Sequence, residues 1–209
     1  DELNTLYCWG DYSALFDEYI GTIFSDITIG TDYGCGLNYD GTVTCWEGAS
    51  TDDYGQFSSP EGEYIQVDAG DHYNCAISLD SSLYCWGGED PEDIVPPSGD
   101  FIQVSVGNWL GSCAVDTQNE LHCWGDESDG FSRPPDGEFS SVSVGMGHAC
   151  AISTDKTLSC WGDSGEGQTT PPDGEFADIS CGSYFCCALD LDGQVECWGL
   201  DAYGLLDPP

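Results

Sequence analysis

The chain has 209 residues, 39 of them Asp or Glu against two Lys or Arg, for a formal charge of −37. That balance repels phosphate backbones and anionic lipid headgroups, so neither nucleic-acid binding nor membrane-surface binding is expected; basic proteins, cations or plain solubility remain. Apolar residues at 40% and aromatics at 12% can fill a core, which argues against a disordered acidic chain.

In chain order, the first signal is Leu6-Tyr7-Cys8-Trp9-Gly10. It reads as the outer strand of a half unit, residues 1–23. The Cys-Trp step then recurs at Cys45-Trp46, Cys85-Trp86, Cys123-Trp124, Cys160-Trp161 and Cys197-Trp198, a period of about 37 residues. Five full units follow: 24–63, 64–100, 101–138, 139–175 and 176–209. Each opens on an alternating stretch that ends in Gly, such as Phe101-Ile102-Gln103-Val104-Ser105-Val106-Gly107, which is strand periodicity. A short loop and a cysteine-bounded hairpin come next. A Gly-, acid- and Pro-rich connector closes the unit, with room for a fourth strand. Such a unit cannot bury both its faces alone; stacked neighbours can. The pattern predicts an all-β fold, a β-propeller with one disulfide per blade.

The hairpins can be registered by arithmetic. Pairing Cys187 with Cys197 sets Ala188 opposite Glu196 and Leu189 opposite Val195, around a loop of Leu191-Asp192-Gly193. Gly or Asn stands at the third loop position in three of the five hairpins, where positive φ is wanted. Directly opposed cysteines can bridge, which predicts Cys35–Cys45, Cys75–Cys85, Cys113–Cys123, Cys150–Cys160 and Cys187–Cys197. Each small loop closure contributes roughly 2–3 kcal/mol in the chain-entropy picture. Cys181 and Cys186 flank a four-residue loop and could bridge across it. That leaves Cys8 for a partner upstream or on another molecule. Thirteen cysteines at regular spacing point to an oxidising compartment, hence a secreted, extracellular protein. No apolar run is long enough to insert in a membrane.

Gly145-Met146-Gly147-His148-Ala149-Cys150-Ala151, then Cys160-Trp161-Gly162, Gly167-Gln168 and Pro171-Pro172, resemble the regulator-of-chromosome-condensation repeat, above all its short cysteine-bearing secreted versions. The resemblance implies a β-propeller, typically seven-bladed, with the type II β-lactamase inhibitor protein as a fold relative. It also implies binding of other proteins through loops at one end of the ring. Five units and a half do not close such a ring.

The loops between the first two strands carry binding-type residues: Asp32 and Tyr33; Asp71, His72 and Tyr73; Asn108, Trp109 and Leu110; Met146 and His148; Ser183, Tyr184 and Phe185. Aromatic side chains and histidines gathered on one surface suit a protein interface, and Tyr33, His72, Tyr73, Trp109, His148, Tyr184 and Phe185 are the candidates. The competing reading packs the third loop position (Tyr33, Tyr73, His148, Phe185) against the neighbouring blade. No catalytic motif is present, so no enzyme is expected. Asp190-x-Asp192-Gly193 is a fragment of a calcium loop already explained as a hairpin turn. No cofactor or metal site is expected beyond diffuse divalent binding by connectors such as Glu89-Asp90 with Glu92-Asp93. Two functions follow: a structural or adhesive subunit that assembles head-to-tail through its incomplete edge, or a monomeric protein-binding propeller using its aromatic loops.

Overall fold

The computed structural model describes residues 23–48, 52–89, 94–108, 111–125, 131–201 and 206. Among the described residues fifteen strands form five antiparallel sheets of three. Sheet 1 holds β1 (Asp26–Ile29), β2 (Tyr33–Leu37) and β3 (Val43–Glu47). Sheet 2 holds β4 (Tyr64–Ala69), β5 (Tyr73–Ser78) and β6 (Leu83–Gly87). Sheet 3 holds β7 (Phe101–Val106), β8 (Gly111–Asp116) and β9 (Leu121–Gly125). Sheet 4 holds β10 (Phe139–Val144), β11 (His148–Ser153) and β12 (Leu158–Gly162). Sheet 5 holds β13 (Phe176–Cys181), β14 (Phe185–Asp190) and β15 (Val195–Gly199). The connector from Asp163 to Glu175 forms no strand, so the fourth strand expected there is absent. Its Gly- and Pro-rich sequence cannot sustain a ladder.

In every hairpin the two cysteines are directly opposed, and all five pairs are bridged: Cys35–Cys45, Cys75–Cys85, Cys113–Cys123, Cys150–Cys160 and Cys187–Cys197. A sixth bond joins Cys181 and Cys186, which are paired across β13 and β14. The third loop residue takes positive φ in each hairpin: Gly41 at 83°, Ser81 at 68°, Asn119 at 65°, Lys156 at 74° and Gly193 at 82°.

The core lies between sheets. Tyr33, Cys35 and Leu37 of sheet 1 pack with Tyr64, Val67, Ala69 and Trp86 of sheet 2. The same layer repeats between sheets 2 and 3, 3 and 4, and 4 and 5. Each hairpin therefore turns its first cysteine to the following sheet and the Trp after its second cysteine to the preceding one. In β4, β7, β10 and β13 the register slips by one after the first residue. The bulge places residues 1, 4 and 6 of β7 (Phe101, Val104 and Val106) on one buried face, a spacing that strict alternation forbids. Connectors wedge between sheets through Phe57, Ile94 and Phe131. Trp86, Trp161 and Trp198 donate to the connector carbonyls of Gln56, Phe131 and Gln168.

Among the described residues the stack ends on two exposed faces. Ile27 and Ile29 of β1 are 44% and 59% exposed, whereas their equivalents Val104 and Val106 are 0% and 6% exposed. At the far end Val195 is 43% exposed and Leu189 is half-buried, whereas Ile152, equivalent to Leu189 in sheet 4, is 1% exposed.

Candidate functional site

First strands from all five sheets line one polar cavity of about 300 Å³, which sets the sheets around a common axis. One column of side chains, two residues before the strand-ending Gly, lines it: Thr28, Asp68, Ser105, Ser143 and Ser180. Local alternation explains the column. Val104 and Val106 pack towards the preceding sheet, so Ser105 between them turns to the following one.

The column stitches each sheet to the next through backbone N–H groups. Ala69 N donates to Thr28 Oγ1 (3.0 Å), Val106 N to Asp68 Oδ2 (2.8 Å), Val144 N to Ser105 Oγ (3.1 Å) and Cys181 N to Ser143 Oγ (2.9 Å). A second row does the same with both ends of an amide. Gln66 accepts from Val104 N and donates to Val104 O, each at 2.9 Å; Gln103 repeats this with Val142, again at 2.9 Å. These side chains satisfy edges of the innermost strands that no strand pairs with among the described residues. Burial pushes the Asp68 carboxyl above the usual carboxylate range, against the pull of bonds from Val106, Thr28, Ala69 and Ser105.

First-to-second-strand loops of sheets 3, 4 and 5 reach the cavity through Asn108, Gly145 and Gly182. These loops meet: Asn108 Nδ2 approaches Ser183 Oγ at 3.5 Å, and Met146 N donates to Ser183 O at 3.3 Å. Of the expected interface residues, Tyr33, Tyr73 and His148 are at most 1% exposed and cannot form a binding surface. They are the inward-facing first residues of β2, β5 and β11. Tyr33 Oη donates to Tyr73 O (2.9 Å) of the next sheet, and Tyr73 Oη pairs with Ser112 Oγ (2.8 Å). Burial raises both phenols and lowers the His148 imidazole. Tyr184 is exposed, and His72 and Phe185 are half-buried. Trp109, Leu110, Cys8, Asp90, Glu92 and Asp93 lie outside the described residues.

The sequence reading missed Tyr54. Its ring lies 5.0 Å from the His72 ring, and His72 Nε2 lies 3.5 Å from Asp71 Oδ2. Tyr54 extends the loop-end aromatic surface from the connector of sheet 1, a segment without periodicity to flag it. Its phenol is raised, chiefly by the nearby charge of Glu89.

Two groups bring ligand-type atoms together, His148 with Cys181 and Cys186, and Asp116 with Glu120 and His122. The first has both sulfurs in a disulfide. In the second, Asp116 already accepts from Gln118 N and Glu120 N and pairs with His122 Nε2 at 2.9 Å. Among the described residues no catalytic cluster is present. A groove of about 510 Å³ at the hairpin end, lined by Leu79, Tyr84 and Tyr64, belongs to sheet 2 alone.

The family model of the Regulator of chromosome condensation (RCC1) repeat matches residues 139–168 and 176–205. No curated protein matches the chain. Among solved structures, the entire ectodomain of the Physcomitrella patens receptor kinase CR4 superposes with a TM-score of 0.76 at 22% identity, over 95% of this chain and 57% of that one. The CRINKLY WD40 ectodomain of the Arabidopsis thaliana receptor kinase ACR4 gives 0.68 at 26% identity, over 88% and 67%. Prp20p of Saccharomyces cerevisiae, described for its binding properties to Gsp1p and histones, gives 0.74 at 13% identity, over 90% and 61%. The chain thus spans between 57% and 67% of the length of these structures. Two stretches of the chain thus match the RCC1-repeat model, within a disulfide-bearing β-sheet domain whose fold is similar to those of Prp20p and the plant receptor ectodomains.

Proposed function

We propose that this domain is a non-catalytic, extracellular protein-binding module that engages its partner at the loop end of the axial cavity. The observation that carries this reading is convergence: the cavity, which loops of sheets 3, 4 and 5 reach, is lined by every one of the five sheets, whereas the hairpin-end groove belongs to one. His72 with Tyr54, and Tyr184 with Phe185, supply the accessible rings there. The likeness to receptor-kinase ectodomains and the six disulfides support the extracellular setting. A charge of −37 favours a basic partner. In a binding assay, His72→Ala with Tyr184→Ala should abolish capture of such a partner without lowering Tm. Leu79→Ala with Leu191→Ala, at the hairpin end, should leave capture intact. The reverse pattern would move the interface to the hairpins.

A second reading, association with further units of the same repeat, is favoured by the uncovered end faces. Ile27 and Ile29 occupy the positions that receive a preceding sheet elsewhere, and Leu189 and Val195 those that receive a following one. Such units would close the stack into a propeller within a longer chain, or extend it head-to-tail between chains. Light scattering without and with reductant distinguishes these. A polymer supports assembly between chains, and its collapse on reduction implicates a Cys8 bridge; a compact monomer refutes it.

A further inference from the structure

Sheet 5 departs from its neighbours at two positions. Cys181 stands where the others carry Ile29, Ala69, Val106 and Val144; Cys186 stands where they carry Gly34, Asn74, Ser112 and Ala149. Their bond is therefore additional to the hairpin bond of the unit. Its two sulfurs have different surroundings. Cys181 is half-buried and lines the axial cavity. Cys186 is 0% exposed and faces sheet 4, with its Sγ 3.6 Å from Cys150 Sγ and 3.3 Å from His148 Nε2. Two separate disulfides, Cys150–Cys160 and Cys181–Cys186, thus touch across the interface between sheets 4 and 5.

We propose that Cys181–Cys186 is a thiol-exchange site that relays its opening to Cys150. The reactant class is a small dithiol entering the axial cavity. Only Cys181 is accessible from there, so the incoming thiolate bonds to Cys181 Sγ and the Cys181–Cys186 bond breaks, with Cys186 leaving as the thiolate. The second thiol of the reagent then displaces Cys181. The reagent is oxidised to its cyclic disulfide, and the protein is reduced by two electrons and gains two thiols. Cys186 is released in van der Waals contact with Cys150 and beside the buried imidazole of His148, whose Nε2 lies 3.3 Å from its sulfur. Attack of the Cys186 thiolate on Cys150 Sγ forms Cys150–Cys186 and expels Cys160 as the thiolate. This second step is redox-neutral. Its product joins two sheets, where both starting bonds stayed within one.

The test is limiting dithiothreitol on the intact chain at mildly alkaline pH, acid quench, alkylation and peptide mapping without further reduction. The expected result is alkyl label on Cys181 and Cys160, a peptide pair linked through Cys150–Cys186, and the other hairpin bonds intact. Label on Cys181 and Cys186 with Cys150–Cys160 retained would overturn the relay, as would first reduction at any other bond. Cys181→Ser gives an independent check without reagent, because it leaves the Cys186 thiol permanently beside Cys150. The relay predicts that this variant carries Cys150–Cys186 and a free Cys160; a free Cys186 would refute it. Should the variant fail to fold, the wild-type mapping decides alone.

Discussion

Gln103 offers a direct measure of how the sheets are held around the axis. Its amide accepts from Val142 N and donates to Val142 O, both at 2.9 Å, and also approaches Val104 O at 3.1 Å. Gln103→Ala strips both bonds from the inner edge of β10 and leaves two half-buried backbone groups to find water. With about 1 kcal/mol net per lost bond and a partial desolvation cost, the loss should be roughly 2–3 kcal/mol. For a chain of this size that is a fall in Tm of roughly 4–12 °C. Urea unfolding followed by tryptophan fluorescence, with the disulfides intact, reads it. Ser141→Ala is the control: Ser141 holds the same place in sheet 4 and reaches no partner in sheet 5 among the described residues, so its change should stay within about 0.5 kcal/mol. Equal, small effects at both positions would refute the stitching and leave apolar packing alone to hold the sheets.

Other outcomes follow from the same geometry. Lys156 holds φ at 74°, so Lys156→Gly should stabilise the chain by about 1 kcal/mol, measured by urea midpoint; destabilisation would mean the loop gains from its lysine. A Cβ on Gly107 would lie 2.4 Å from Val144 Cγ1 and 2.5 Å from Gly145 O, so Gly107→Ala should cost roughly 2–4 kcal/mol and loosen sheets 3 and 4 first, seen as faster amide exchange in β10. Asp68 has a raised folded-state pKa, so its protonated form is favoured on folding. Its stabilising contribution is present below about pH 3.8 and is lost as pH rises through the raised value. Asp68→Ser, the side chain used in sheets 3 to 5, should therefore gain stability relative to wild type as pH rises from 4 towards neutrality. A pH-independent difference between the two would contradict the shift.

The hairpins were legible because three signals coincide in each: a ten-residue cysteine separation, a three-residue loop and an Asp, Gly or Asn within it. Stacking was legible too, since apolar residues on both strand faces demand a neighbour on each side. The connectors were not. Phe57, Ile94 and Phe131 sit in irregular segments where no period separates a wedge from a surface loop. The bulge was hidden because a single inserted residue looks like imperfect alternation, although the Phe-x-x-Val-x-Val spacing of β7 records it. At the loop end, residue type allowed either a surface or packing against the neighbouring sheet for Tyr33, Tyr73 and His148, and burial settles it as packing. Each is also the first residue of a strand, and strand alternation turns it inward, where a polar tip finds a partner on the next sheet. The axial column was present as a polar residue two before each Gly, from Thr28 to Ser180. Its meaning appears only when the strands are set around one axis.

The most direct test of the binding account is a position-resolved photo-crosslink. A photoreactive residue is placed in turn at Tyr54, Tyr184 and Ile29, and at Leu79 and Leu191 on the hairpin end, and the full chain is illuminated in the extracellular fluid to which the proposal assigns it. The account predicts adducts with a basic partner protein from Tyr54 and Tyr184, and none from the hairpin positions. Adducts confined to Leu79 and Leu191, or an adduct with a second copy of the chain from Ile29 alone, would contradict it.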